Sequence, residues 1–113
     1  MKAWTPPTRE VVEETIEEMV RRIVEGFHPE RIILFGSQAR GDAGPDSDVD
    51  LLVVMSTTSK RSTTRDIRVA LDAMGIPKDV VVITPAEFEN EKHVIGTVAY
   101  PAHHEGRVLY ERP

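Results

Sequence analysis

The sequence predicts an α/β or α+β domain in which helices flank one small mixed sheet. Apolar residues recur every three or four positions early in the chain, as they do on one face of a helix. Short runs of aliphatic, often β-branched residues follow at 31–35, 49–55 and 79–83, and such runs are typical of strands. Segments with helical periodicity separate these runs, and this alternation favours helices packed against a sheet.

The first element is predicted to be an amphipathic helix over residues 8–25. Its apolar positions are spaced by three and four residues, and they are Val12, Ile16, Met19, Val20, Ile23 and Phe27. Gly26 is predicted to end this helix. The first strand, 31–35, then ends at Gly36, and the second covers 49–55.

A polar loop over 56–64, which includes Lys60 and Arg61, is predicted to follow the second strand. A second helix then places Ile67, Leu71 and Met74 on one face and ends near Gly75. The third strand is the run 79–83.

The last part of the chain is predicted to begin with another helix. Thr84 supplies its N-cap, Pro85 suits its first turn, and Glu87 completes a capping box. Pro101 is predicted to end or kink the continuation of this helix, and 107–110 to form a final edge strand. Adjacent His103 and His104 are predicted to be surface residues with diverging side chains.

Length and composition limit the classes of protein that fit. With 113 residues, 40% of them hydrophobic, the chain is expected to form a single domain, 1–113. A net charge of -5 disfavours binding to a nucleic-acid polymer or an anionic membrane. The chain has no cysteine, signal-like segment or long apolar run, so we expect a soluble cytoplasmic protein.

Asp48 and Asp50 lie at the start of the second strand. Alternate side chains of a strand share a face, which places these two carboxylates about 7 Å apart along the backbone. Carboxylates this close repel each other unless a cation lies between them, and their oxygens suit Mg²⁺ or Mn²⁺. Taken alone, the pair also fits two solvated residues at the beginning of a strand.

The loop before the aspartates begins with Gly36 and Ser37. Glycine lets the backbone approach a ligand closely, and Ser37 can cap a helix whose N–H groups favour phosphate. A Walker A loop is excluded because Asp42 and Ala43 stand where lysine and a hydroxyl residue are required. An EF-hand is excluded because Leu51 stands at its glycine position.

The segment GSQARGDAGPDSDVD resembles the signature of the polymerase-β-type nucleotidyltransferases, in which Gly-Ser is followed after ten residues by Asp-x-Asp. Its GSxARG form and the short chain resemble the minimal nucleotidyltransferase (MNT) domains, often antitoxin partners of all-helical HEPN toxins. Some relatives carry a basic residue where this chain has Gln38.

This resemblance implies a nucleotidyltransferase-like fold and a third carboxylate on a neighbouring strand. Asp79, at the start of 79–83, fits that position, and Asp72 is a weaker candidate. The implied catalytic and metal-binding set is Asp48, Asp50 and Asp79, holding two Mg²⁺ or Mn²⁺ ions, with Asp79 also able to take the acceptor's proton. Gly36, Ser37 and Arg40 are implied to contact the phosphates of ATP.

By the same resemblance, the chain transfers AMP from ATP to a hydroxyl, expected to be tyrosine, of a HEPN-type toxin and acts as its antitoxin. A hetero-oligomer with the toxin is expected. Two alternatives remain open at this stage. One is an antitoxin that neutralises its partner by contact alone, and the other is transfer to a small molecule such as an aminoglycoside.

Overall fold

A computed structural model describes residue 5 and residues 7–44 and 47–113. Its α-helices are α1 (Arg9–Phe27), α2 (Ser37–Arg40), α3 (Lys60–Leu71), α4 (Pro85–Glu91) and α5 (Ala99–Glu105). Its strands are β1 (Arg31–Phe35), β2 (Val49–Val54), β3 (Lys78–Ile83) and β4 (Arg107–Glu111). A short 3₁₀ helix, Asp72–Met74, follows α3.

The four strands form one mixed sheet in the order β3-β2-β1-β4. β1 pairs antiparallel with both β2 and β4, whereas β2 and β3 run parallel and are connected by α3. A parallel pair needs such a crossover, because the chain must return to the starting end of the sheet. The predicted small mixed sheet flanked by helices is therefore confirmed.

Each face of the sheet is covered by its own apolar cluster. On one face, α1 and α3 pack on Ile32, Leu51 and Val80 and their neighbours. On the other face, Phe88 of α4 and Ala102 of α5 pack on Leu52, among others. Alternate side chains of β2 thus enter opposite clusters, as the period of a strand requires.

The helix α1 begins where the sequence predicts but ends later. The side chain of Thr8 accepts a hydrogen bond from the N–H of Val11, which caps the first turn. The predicted stop at Gly26 is wrong, since the helix continues to Phe27 and ends at His28, which has a φ of 51°. Phe27 packs against the core, and this contact favours one more residue of helix past the glycine.

The polar segment after β2 is helical rather than a loop. α3 begins at Lys60 because the Ser59 side chain caps it by accepting from the N–H of Ser62. Lys60 and Arg61 therefore lie in the first turn of a helix, and the predicted loop 56–64 is too long. Ile67 and Leu71 are buried as predicted, and Gly75 ends the 3₁₀ turn with a φ of 71°.

The predicted capping box at Thr84 is confirmed. The Thr84 hydroxyl accepts from the N–H of Glu87, and the Glu87 carboxylate accepts from the N–H of Thr84. Pro101 does not end this helix but lies in the first turn of α5, where a missing N–H costs little. β4 is an edge strand, as predicted.

Three histidines lie together on the surface at α5. His103 and His104 are exposed as predicted, but their rings do not diverge, because their centroids are 5.0 Å apart. His93, from the segment after α4, brings its Nδ1 to 3.4 Å from Nε2 of His104. Among the helices that the structure describes, none has the length and apolar character to span a bilayer.

Candidate active site

The three predicted carboxylates lie at one end of two adjacent strands. Asp48 immediately precedes β2, Asp50 is the second residue of β2, and Asp79 is the second residue of β3. In the parallel register of these strands, Asp50 is the direct partner of Asp79. Neighbouring strands are about 4.8 Å apart, so the two residues lie side by side across the ladder.

All three aspartates point toward the same face of the sheet. Leu52 and Val54 on β2, together with Ile83 on β3, enter the cluster beneath α4 and α5. Because strand side chains alternate, Asp50 and Asp79 share that face, and so does Asp48 one step before the strand. Neither helix buries this end of the face, since Asp48 and Asp79 are exposed and Asp50 is half-buried.

Asp50 is the electrostatic centre of the group. Partial burial raises the pKa of its carboxyl above the ordinary value, and the negative charges of Asp79 and Asp48 raise it further. Arg40 opposes this shift through its positive charge. The two neighbouring carboxylates thus act on Asp50 as like charges, which is the condition that a bound cation relieves.

Asp50→Asn is expected to stabilise the fold near neutral pH in the absence of divalent ions. Because the pKa of Asp50 is higher in the folded chain, the stability of the parent falls as pH rises from 3.8 through the raised pKa. The variant loses this penalty, so its Tm should exceed that of the parent by a few degrees near pH 7 and by little near pH 3. Thermal unfolding at both pH values measures the difference.

Asp66→Asn on α3 is the matched control for that measurement. Asp66 is exposed, and its nearest charged contact, with Arg65, is 3.8 Å long. An exposed pair of this kind contributes about 0–1 kcal/mol. Equal Tm changes for the two variants at both pH values would show that burial and the neighbouring carboxylates do not penalise the ionised Asp50.

Asp79 is held by an arginine from α3. Arg68 donates a hydrogen bond from Nη2 to Oδ1 of Asp79 at 3.0 Å, and both side chains remain largely exposed. α3 covers the opposite face of the sheet, so Arg68 reaches Asp79 around β3, which is an edge strand. A ligand approaching this edge meets the guanidinium and the carboxylate together.

Gly36 lies directly against Asp50. Its φ is +73°, a backbone conformation that favours glycine. A β-carbon at this position would be 2.3 Å from Oδ2 of Asp50, well inside contact distance. The close approach follows from the antiparallel register, in which Phe35 is the partner of Asp50 and Gly36 is the next residue.

The predicted cap at Ser37 is wrong in detail. Gly36 is the N-cap of α2 and Ser37 is its first residue, because the carbonyl of Gly36 already accepts from the N–H groups of Ala39 and Arg40. No hydrogen bond among the described residues involves the Ser37 hydroxyl or the N–H groups of Ser37 and Gln38. These donors are therefore available to an anion beside Asp50.

Arg40 lies near the carboxylates but has partners of its own. Its Nε donates to Asp42 at 3.3 Å, and its Nη1 is 3.5 Å from a carboxylate oxygen of Glu105 on α5. The hydrogen bond to Asp42 raises the pKa of Arg40 above its ordinary value, which keeps the side chain charged. A phosphate would have to compete with these two acidic residues for the guanidinium.

Gln38 turns inward rather than toward a ligand. It is the one buried polar side chain in the described part of the chain, with 6% of its surface exposed. Its Nε2 donates to the carbonyl of Ser47 at 3.4 Å, which links α2 to the residue before Asp48. Gln38 thus supports the aspartate loop, a role that the sequence did not indicate.

The carboxylate oxygens of Asp48, Asp50 and Asp79 are ligands of the type that a hard divalent cation prefers. Carboxylate oxygens are the preferred ligands of Mg²⁺, and the like charges around Asp50 favour a positive ion. Within the described ranges, however, no three acidic or histidine side chains already converge in metal-binding geometry. The residues fit a metal provided that Asp79 exchanges its contact with Arg68 for the ion.

Comparison with known proteins identifies relatives at the level of the family and the fold. The family model described as nucleotidyltransferase domain matches residues 13–102, which include all three aspartates and the Gly36–Ser37 turn. The comparison with curated proteins gives no significant match. A provisionally assigned nucleotidyltransferase from Sulfolobus solfataricus is 20% identical with a TM-score of 0.56, over 96% of this chain and 94% of that one.

Two further similar structures are toxin–antitoxin complexes. One contains AMP-PNP, and its matching chain is 20% identical with a TM-score of 0.54, over 85% of this chain and 73% of that one. The other is the MntA-HpeT complex in a mutant form, 18% identical with a TM-score of 0.52, over 84% and 72% of the two chains. At these identities the likeness establishes the fold.

Proposed function

The chain belongs to the nucleotidyltransferase domain family, and we propose that it transfers AMP from ATP to a hydroxyl group of a partner protein. The observation that carries this proposal is the pairing of Asp50 with Asp79 on adjacent strands, with Asp48 on the same face and Gly36 in contact with Asp50. The acceptor that the sequence resemblance favours is a tyrosine of a HEPN-type toxin, which the modification would silence.

In this reaction the acceptor oxygen attacks the α-phosphorus of ATP. A new O–P bond forms, the bond between the α-phosphorus and the bridging oxygen breaks, and pyrophosphate leaves. Mg²⁺ bound by the aspartates would supply the positive charge that polarises the α-phosphate and neutralises the departing pyrophosphate. The hydroxyl proton needs a base within hydrogen-bonding distance.

The residues of the chain have distinct parts in this scheme. Asp48 and Asp50 would hold the divalent ions, and Asp79 would complete the ligand set and accept the proton of the acceptor hydroxyl. The Ser37 hydroxyl and the N–H groups of Ser37 and Gln38 hold the terminal phosphates beside Gly36. Arg40 adds positive charge near them once it leaves Asp42 or Glu105.

A protein acceptor is supported by the open character of the site. The face that carries the aspartates is not covered by α4 or α5 at this end, and Asp79 is exposed at an edge strand. Such a site admits a side chain presented by another protein. The likeness of the fold to a chain of a toxin–antitoxin complex with AMP-PNP is consistent with this assignment.

Incubation with labelled ATP, Mg²⁺ and the protein encoded by the adjacent gene tests the proposal. We expect one or more added AMP groups on that protein, located on tyrosine by mass spectrometry, and no transfer when Mg²⁺ is chelated. Absence of any added AMP on the partner, under conditions in which the two proteins bind each other, would contradict the proposal.

A non-catalytic antitoxin is a second candidate, and the ion pair between Arg68 and Asp79 favours it. In that case the acidic residues would only shape the surface, and Arg68 would neutralise one of them permanently. The two candidates differ in one outcome. If the Asp50→Asn chain still silences its partner in cells, contact alone is sufficient for neutralisation.

A further inference from the structure

The exposed face of α3 carries a row of three arginines that ends at Asp79. Arg61, Arg65 and Arg68 are separated by four and three residues, which places them on one side of the helix, and all three are exposed. Together with Thr64, Val69 and Asp72 they form one open surface patch on α3 and its 3₁₀ extension. Val69, beside the row, is 71% exposed.

Two of these arginines are poorly neutralised within the chain. Arg61 has no carboxylate within 4 Å among the described residues, and the only such contact of Arg65 is the 3.8 Å approach to Asp66. The arginines of α1 differ, since Arg21 and Arg22 both donate to Glu18. Asp72 lines the same surface and Asp79 pairs with Arg68. The positive charge is therefore concentrated at Arg61 and Arg65, where it attracts an acidic segment.

The position of the row separates it from the proposed phosphate site. α3 packs on the face shared with α1, whereas the aspartates point to the opposite face and the Gly36–Ser37 turn follows β1. α3 packs against β3 at the edge of the sheet, whereas the turn follows β1, two strands farther in. Arg61 and Arg65 are placed for a molecule that approaches Asp79 from outside the edge strand.

We propose that this face of α3 is the docking surface for the acceptor protein and that the acceptor segment is acidic. The inference rests on the proposed transfer to a protein hydroxyl. Along α3, Arg65 and Arg61 lie about 4.5 and 10.5 Å from Arg68, which contacts Asp79. An acceptor helix with acidic side chains one and two turns away from its hydroxyl matches that spacing.

Synthetic helical peptides provide the probe. One carries a tyrosine followed by glutamates three and seven positions later, and its control carries glutamines there. Binding is measured by fluorescence anisotropy at low salt with the Asp50→Asn chain, so that the result does not depend on catalysis. We expect the glutamate peptide to bind about tenfold more tightly than the glutamine peptide, as two exposed charge pairs would give.

Two double variants with the same change of net charge test the location. Arg61→Gln/Arg65→Gln is expected to lose the tenfold preference, whereas Arg9→Gln/Arg107→Gln, which removes arginines that contact Glu13, is expected to keep it. Equal losses in both variants, or an unchanged preference in the first, would overturn the docking surface. Neither outcome would affect the transfer assay, so the two proposals fail separately.

Discussion

Asp50→Asn is expected to reduce nucleotide transfer by on the order of 10³-fold while the fold is kept. Asp50 is flanked by Asp79 across the strands and by Asp48 along the chain, so it has a central place in any metal site formed by the three. The asparagine side chain is about as large as that of aspartate, but its amide lacks the negative charge that holds a divalent ion. Transfer from labelled ATP, measured at saturating Mg²⁺, gives the loss.

Glu14→Gln serves as the control for transfer, because it removes an exposed carboxylate of α1, away from the face of α3 proposed to bind the acceptor. Its transfer rate should remain within about twofold of the parent, as expected for a surface change away from the reacting groups. Circular dichroism and Tm establish that the Asp50→Asn chain is folded. A folded Asp50→Asn chain that transfers nucleotide at the parental rate would eliminate the carboxylate mechanism.

Gly36→Ala is expected to combine a moderate loss of stability with a large loss of activity. A side chain at a φ of +73° and a ψ of -159° lies in a region essentially restricted to glycine and costs about 1–3 kcal/mol, and the new methyl group would lie 2.3 Å from Oδ2 of Asp50. The carboxylate must therefore move. A displacement of about 1 Å in a reacting group can cost roughly 100-fold in rate, and we expect a transfer loss of this size.

Gly75→Ala separates the two contributions. Gly75 has a similar φ of +71°, but a β-carbon there has no neighbour within 4 Å. Its ψ of -2° places it in the left-handed region, which other residues adopt at modest cost, whereas Gly36 has a ψ of -159°. Gly75→Ala should therefore lower the Tm by less than Gly36→Ala and leave transfer close to the parental rate. Equal activity losses in the two variants would mean that the contact between Gly36 and Asp50 has no catalytic importance.

Local patterns were sufficient to predict most elements of the sheet. The runs that form β1, β2 and β3 were recognisable because buried strands need consecutive apolar residues. The capping box at Thr84 was recognisable because its two partners are three residues apart in the sequence. The end of α1 was misplaced because Phe27 extends the helix through its contact with the core. The start of α3 was misplaced because nothing in the sequence distinguishes the capping residue Ser59 from the other serines of that segment. Such boundaries depend on packing and on single caps.

The candidate site could be predicted in part. Asp48 and Asp50 were recognisable from the sequence because they stand where an apolar run begins. Asp79 was selected only through the family resemblance. The sequence of neither strand determines the register of β2 and β3, which places Asp79 beside Asp50. Arg68 was missed because it lies on the solvent face of a helix and meets Asp79 only in the folded chain. No local pattern would have indicated the buried role of Gln38.

Binding of Mn²⁺ followed by NMR tests the central claim most directly, namely that carboxylates from two adjacent strands gather a divalent ion beside the Gly36 turn. With a non-hydrolysable ATP analogue present, Mn²⁺ should first broaden the amide signals of Gly36, Asp50 and Asp79, and this broadening should disappear in Asp50→Asn. Broadening that begins at the histidines around His104, or that persists unchanged in the variant, would contradict the account.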